Sequence, residues 1–185
     1  MRVKKVSLHR GSSGSATIAT ERWTSISRRI IPPIAPGVRR VAKSAGKRVL
    51  DFAAGCGIGA IAAALAGAAA VEAAEIDDMA LAATRLNAAL NGVAVATPPG
   101  DVVGSACRWD LILAGDVCYE APMTAHILPW LRAMAGAGAE VWIADPGRAY
   151  LPVAGMTLLS RHRVPTTREL EDREERQVTI HRLLP

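Results

Sequence analysis

The chain has 185 residues, of which 50% are hydrophobic and 21% are charged, so it has the size and composition of one globular domain with a core. These values exclude a disordered, collagen-like or disulfide-built chain. The three cysteines have neither the spacing of a disulfide framework nor that of a zinc site, so we predict a reducing compartment and no bound metal. The longest uncharged run, residues 52–71, holds four glycines and is otherwise mostly alanine, so we expect it not to enter a membrane.

The net charge of +5 is unevenly distributed along the chain. Residues 1–45 carry ten Lys and Arg against one acid, a net +9, whereas residues 46–185 carry 12 basic and 16 acidic residues, a net −4. A nucleic-acid partner would have to bind through the basic segment, and we predict no such partner. The composition of residues 1–45 fits a disordered arm, a mitochondrial transit peptide or an out-of-frame translation equally well. We therefore predict one atypical basic segment, residues 1–45, followed by one domain, residues 46–185.

Strands alternate with helices from residue 48 onward. Strands are predicted over residues 48–52, 71–76, 93–97, 109–115 and 141–144, and helices over residues 58–66, 79–90 and 122–135. Asp78 is predicted to cap the second helix, and Gly92 follows its last turn. Two β-like segments, 158–164 and 177–183, are too close for a helical crossover and predict an antiparallel hairpin. The fold class is therefore α/β, a Rossmann-like, doubly wound and mostly parallel seven-stranded sheet with an antiparallel last strand.

A glycine-rich turn follows the first predicted strand and carries the clearest chemistry. Gly55-x-Gly57-x-x-Ala60 matches a loosened dinucleotide fingerprint, whose glycines let the backbone approach a nucleotide at a helix N-terminus. Asp51, four residues before Gly55, would repel a pyrophosphate but would attract the ammonium and sulfonium groups of S-adenosyl-L-methionine. The charge therefore favours S-adenosyl-L-methionine over a dinucleotide.

Further acidic residues end the next strands of the predicted sheet. Glu75, 18 residues after Gly57, is placed to bind ribose hydroxyls in either nucleotide class. Asp101 and Val102 are candidates for an adenine site, the carboxylate accepting from the amine and the valine packing on the ring. Asp116 stands at the end of the fourth predicted strand and is expected to face the same crevice as Gly55. No Pro-Pro-aromatic motif follows it, which argues against a flipped nucleobase as substrate.

These motifs carry a resemblance to a known family. The glycine loop, Glu75-Ile76-Asp77, Asp116-x-x-Tyr119 and the stretches 145–152 and 164–172 together resemble bacterial seven-strand methyltransferases similar to electron transfer flavoprotein β-subunit lysine methyltransferase. The likeness spans residues 46–185. The glycine loop indicates the superfamily, the Asp-x-x-Tyr signature narrows it to a group rich in protein methyltransferases, and the last two stretches indicate this branch.

The resemblance implies transfer of a methyl group from S-adenosyl-L-methionine to a lysine amine of a protein, the flavoprotein β subunit being the suspected partner. Asp116 and Tyr119 are the expected catalytic residues, and Tyr119 and Arg148 the expected contacts to substrate. The expected cofactor-binding residues are Asp51, Ala53, Gly55, Gly57, Glu75, Ile76, Asp101, Val102 and Asp116. Asp116 would orient the incoming amine, whose pKa the sulfonium would lower and the carboxylate would raise.

One feature of the family is expected before the first strand, an aromatic segment of the type Trp-x-x-x-Trp with a helix that helps to close the cofactor site. Residues 1–45 contain only Trp23 and do not match it. Two alternatives therefore stay open: methylation of another protein or a small amine, and a non-catalytic cofactor-binding remnant with an incomplete site. The expected location is a bacterial cytoplasm, with the mitochondrial matrix as the alternative.

Overall fold

The computed structural model describes residues 7–10, 16–19, 42–152, 154–165 and 175–185. The chain divides into two compact units, residues 1–101 and residues 102–185. Most of the predicted basic segment and most of the resemblance stretch 164–172 lie outside the described residues. The division into a basic segment and a domain from residue 46 stays a prediction.

The first unit contains a hairpin, a parallel strand pair and two helices. Its elements are β1 (Ser7–Arg10), β2 (Ala16–Ala19), a short 3-10 helix (Ala42–Ser44), β3 (Arg48–Phe52), α1 (Ile58–Leu65), β4 (Ala70–Ala74) and α2 (Asp78–Leu90). Strands β1 and β2 pair antiparallel, whereas β3 and β4 pair parallel with Phe52 opposite Ala74. The carboxyl ends of β3 and β4 therefore lie side by side, as the predicted strand–loop–helix order requires.

Apolar side chains, many of them small, form the core of this unit. Val49, Leu50 and Phe52 of β3 are buried, as are Ala60 and Ile61 of α1. Alanine occupies little space, so the alanine-rich helix α1 can approach the strands closely without a loss of packing density.

Helix α2 begins one residue earlier than predicted. Its N-cap is Asp77, whose Oδ1 accepts a hydrogen bond from the backbone N–H of Met79 at 2.7 Å. The prediction of Asp78 as N-cap was wrong, because Asp78 lies in the first helical turn. There its negative charge interacts favourably with the positive end of the helix dipole. The predicted end is confirmed: the helix stops at Leu90 and Gly92 follows with φ 65°.

The predicted strand 93–97 is reduced to one bridging residue. Ala96 forms a single parallel bridge with Glu72, in which the Ala96 N–H donates to the Val71 carbonyl at 2.9 Å. The ladder does not continue, since Pro98 and Pro99 follow at once and proline has no N–H to donate. Of the seven strands expected from residue 48 onward, six are therefore present among the described residues: β3 and β4 in this unit and four in the second unit.

The second unit holds β5 (Leu111–Gly115), α3 (Ala121–Gly136), β6 (Glu140–Asp145), β7 (Met156–Pro165) and β8 (Glu175–Leu183). Strands β5 and β6 pair parallel, whereas β8 pairs antiparallel with both β6 and β7. The closing antiparallel hairpin is therefore confirmed. The described helices include none with the length and apolar character needed to cross a membrane.

Candidate functional site

The loop between β3 and α1 has an unusual backbone. Ala53, Gly55 and Gly57 adopt φ values of 52°, 55° and 78°. Glycine adopts such values without strain, but at Ala53 the Cβ makes the left-handed conformation costly by about 1–2 kcal/mol. Strained backbone of this kind clusters at ligand sites. The loop is therefore held in one shape by the contacts that surround it.

The carboxylate of Asp51 lies beneath the first turn of α1. Its side chain is only 6% exposed, and Oδ2 accepts a hydrogen bond from the Ala60 N–H at 2.7 Å. A Cβ placed on Gly59 would lie 2.6 Å from Asp51 Oδ1, so only glycine fits against the carboxylate. Burial raises the pKa of Asp51 to about 7; the Ala60 hydrogen bond lowers this pKa and the negative charge of Glu75 raises it. Burial therefore favours the neutral form, and a cation placed beside Asp51 would favour its ionisation.

Glu75 follows β4 directly and closes the other side of the loop. Its Oε2 accepts a hydrogen bond from the Gly55 N–H at 2.9 Å, and its Oε1 accepts from the Ile76 N–H at 2.8 Å. The next side chain, Ile76, is 76% exposed, which is high for an apolar residue. The structure thus brings the glycine loop, Glu75 and Ile76 to one edge of the parallel pair, as the sequence predicts.

Two residues of α2 that hold the loop were not predicted from the sequence. Thr84 Oγ1 donates to the Gly55 carbonyl at 2.9 Å, and Asn87 Nδ2 donates to the Cys56 carbonyl at 2.9 Å. Both side chains are buried. A Cβ on Gly57 would lie 2.6 Å from Thr84 Cγ2, so this glycine allows close packing as well as the positive φ. Two polar residues three apart on the buried face of an alanine-rich helix are the signal that could have identified them.

The predicted adenine-site residues lie at the boundary of the two units. Asp101 is exposed and ends the first unit, whereas Val102 is buried and begins the second. Their roles stay predictions.

In the second unit, Asp116 and Arg148 form an ion pair. Arg148 Nε donates to Asp116 Oδ1 at 2.7 Å and Nη2 donates to Asp116 Oδ2 at 2.6 Å, a two-pronged geometry. The Asp116 side chain is 46% exposed and the Arg148 side chain is 33% exposed. Asp116 has φ 53°, and its N–H donates to the Ala144 carbonyl at 2.8 Å. Tyr119, three residues further on, is exposed.

A buried carboxylate supports the arginine of this pair. Asp145 is fully buried, and its Oδ1 accepts hydrogen bonds from the N–H groups of Gly147 and Arg148 at 2.6 and 2.7 Å. Its Oδ2 has no hydrogen-bond partner among the described residues. Burial raises the pKa of the neighbouring Cys118 thiol, and the charge of Asp145 adds to the effect. In the described part of the chain, no group of three or more His, Cys, Asp or Glu side chains is placed to hold a metal ion.

Comparison with known proteins identifies the relatives of this arrangement. Residues 39–115 match the family model of ribosomal protein L11 methyltransferase (PrmA). The electron transfer flavoprotein beta subunit lysine methyltransferase of Danio rerio is 43% identical over 109 residues, 57% of this chain and 42% of that protein. The Homo sapiens protein of the same name is 35% identical over 109 residues, 56% of this chain and 40% of its own length. The chain thus spans less than half the length of these curated relatives.

A solved structure extends the likeness to the fold. Ribosomal protein L11 methylase from Lactobacillus delbrueckii subsp. bulgaricus superposes with a TM-score of 0.57 at 25% identity, covering 80% of this chain and 76% of that one. The fold is therefore that of the Rossmann-like class I methyltransferases, which confirms the predicted α/β class. Within that class, the chain resembles the electron transfer flavoprotein β-subunit lysine methyltransferases, as its motifs indicate.

Proposed function

We propose that the chain is an S-adenosyl-L-methionine-dependent protein-lysine methyltransferase that acts on the electron transfer flavoprotein β subunit. The observation that carries this proposal is the buried carboxylate of Asp51 beneath the helix that follows the glycine loop, within the segment matched by the methyltransferase family model. The names of the curated relatives support the choice of acceptor.

The residues of the first unit fit this cofactor chemically. S-adenosyl-L-methionine supplies a methyl group activated by a positive sulfonium and also carries an ammonium group. Asp51 supplies a carboxylate that burial keeps poorly stabilised until a cation is present. Glu75 Oε2 accepts from the Gly55 N–H and keeps a further lone pair for a ribose hydroxyl, whereas Oε1 already accepts from the N–H groups of Ile76 and Asp77. The exposed Ile76 offers an apolar surface for a base. A dinucleotide fits less well, because Asp51 would repel its pyrophosphate.

The acceptor lysine must lose a proton before its nitrogen can attack the methyl group. An unperturbed lysine has a pKa of about 10.4 and is almost fully protonated at neutral pH. Asp116 would orient the amine as a hydrogen-bond acceptor and pass its proton to water, with Tyr119 at the edge of the site. The attack forms the N–C bond as the S–C bond breaks, so neither a metal nor a covalent nucleophile is needed.

Intact-mass analysis of purified electron transfer flavoprotein, incubated with the full chain and S-adenosyl-L-methionine, tests the proposal. We expect the β subunit to gain the mass of one or more methyl groups, and the α subunit to gain none. Omission of the cofactor and the Asp116→Asn variant serve as controls. A β subunit of unchanged mass, with transfer to other proteins or small amines, would instead favour the alternative acceptors.

Cofactor binding, measured separately by calorimetry, distinguishes an enzyme from a cofactor-binding remnant. Binding together with transfer supports the proposed enzyme, whereas binding without transfer to any acceptor indicates the remnant. We also propose that the chain has no nucleic-acid partner, so we expect no RNA affinity that falls steeply with salt. A cytoplasmic location in a bacterium is proposed, with the mitochondrial matrix as the alternative.

A further inference from the structure

The carboxylate of Asp116 is occupied on one side only. Arg148 takes one lone pair on each oxygen through its two-pronged contact. A carboxylate has about four lone-pair sites, so the remaining two can still accept from an incoming amine. Asp116 and its guanidinium partner are both partly exposed, which leaves room for an acceptor side chain to approach.

The pair is anchored to the backbone at both ends. The Asp116 N–H donates to the carbonyl of Ala144, the residue before Asp145, and the Arg148 N–H donates to Asp145 itself. Asp145 also holds the Gly147 N–H and so fixes the turn that carries the arginine. An exposed ion pair between two free side chains contributes little to stability. This pair is instead held in one geometry by the end of β6, which indicates a use for the geometry.

We infer that Arg148 is a positioning residue for methyl transfer: its guanidinium orients the Asp116 carboxylate and offsets its negative charge, so that the bound acceptor amine is deprotonated more easily. This inference rests on the proposed function. An isolated Asp116 would hold the lysine in its protonated form, which cannot attack a methyl group. When Asp116 is paired with Arg148, its carboxylate can still accept a hydrogen bond from the amine, but it stabilises the protonated lysine much less.

Other titratable groups near the pair are Asp145, Cys118 and, from β8, Arg176, whose Nε donates to the Pro146 carbonyl at 3.4 Å. The buried Asp145 places a second negative charge near Arg148, and both carboxylates raise the pKa of the arginine, so the guanidinium stays charged. Burial raises the pKa of the Cys118 thiol, which therefore carries no charge at neutral pH. Arg148 is the positive group that these contacts bring onto Asp116.

The test is the pH dependence of kcat, measured with the full chain, saturating flavoprotein and S-adenosyl-L-methionine, because the acidic limb of that profile reports ionisation in the bound complex. In Arg148→Gln we expect this limb to move up by roughly 0.5–1 pH unit, with a loss of roughly 3- to 10-fold in kcat at pH 7. Arg148→Lys keeps the charge and should keep the limb near its wild-type position. Arg182→Gln, which removes an exposed arginine from β8, is the matched control and should leave the profile unchanged.

Each other outcome has a distinct meaning. If kcat of Arg148→Gln fell by the same factor at every pH and the acidic limb did not move, the charge effect would be overturned. The contact between Arg148 and Asp116 would then be merely structural. If only the KM for the flavoprotein increased, with kcat and its pH profile unchanged, the positioning role would be overturned in favour of a direct contact between Arg148 and the partner. Wild-type chain that transfers no methyl group would refute the proposed function together with this inference.

Discussion

Replacement of Asp51 by Asn should make the cofactor-free protein more stable at neutral and alkaline pH. The side chain is 6% exposed, and burial raises its pKa from 3.8 to about 7. Because the folded state holds the proton more tightly than the unfolded state, the stability of the wild-type protein falls as pH rises from about 4 to about 7. Each pKa unit corresponds to about 1.4 kcal/mol, which sets an upper bound of about 4 kcal/mol on this loss.

Asparagine has nearly the same shape and can still accept the Ala60 hydrogen bond, but it has no charge to desolvate. Urea unfolding of wild type and Asp51→Asn between about pH 5 and pH 8 measures the difference directly. We expect the advantage of the variant to grow with pH up to about pH 7 and then to level off. Asp78→Asn makes the same substitution at an exposed first-turn position and should cost about 0.3–1 kcal/mol through the helix dipole.

The same substitution should separate stability from cofactor binding. A cationic ligand needs the ionised carboxylate, so wild-type affinity for S-adenosyl-L-methionine should rise with pH over the range in which Asp51 ionises. Asp51→Asn should bind more weakly and lose this dependence, measured by calorimetry. A variant that is less stable than wild type at pH 8, or a stability difference that does not change with pH, would refute the assignment of Asp51 as a buried, poorly stabilised carboxylate.

Three further substitutions test the loop. Gly59→Ala should lower the free energy of unfolding by about 1–3 kcal/mol, because its Cβ would overlap the buried carboxylate of Asp51. The control is Gly136→Ala in helix α3, where a Cβ would make only an ordinary contact, and it should be close to neutral in the same urea unfolding experiment. Thr84→Val should cost about 1–2 kcal/mol in unfolding free energy by removing the donor to the Gly55 carbonyl; an unchanged midpoint would contradict that contact. Glu75→Gln should weaken cofactor binding about tenfold or more in calorimetry through loss of a charge-assisted acceptor, and equal affinity would exclude the ribose role.

Much of the first unit could be predicted because its signals are local. The apolar run of β3, the glycines after it and the capped helix α2 are each encoded within a few neighbouring residues. The errors were also local: Asp77 and Asp78 are adjacent carboxylates that compete for one cap, and the strand before Pro98 retained only Ala96 in the ladder.

Contacts between residues that are far apart in the chain could not be predicted from the sequence. Asp116 and Arg148 were predicted separately, each facing a substrate, but nothing in the sequence indicates that they pair across 32 positions. The spacing of Thr84 and Asn87 on α2 could have marked them as buried polar residues, but their partners, two carbonyls of the glycine loop about 30 residues away, could not be predicted for the same reason. Such contacts depend on how the elements pack and have no periodicity of their own.

The sequence by itself therefore determined the α/β alternation, the glycine loop and the acidic residues at the strand ends, because backbone conformation and hydrophobic pattern are short-range properties. The tertiary structure alone decided which hydrogen-bond donor meets each carboxylate. It placed Asp51 beneath α1, where desolvation raises its pKa, and it placed Arg148 on Asp116, where the guanidinium offsets the negative charge. Charge and solvation are set by the groups within a few ångströms in space, whatever their separation along the chain.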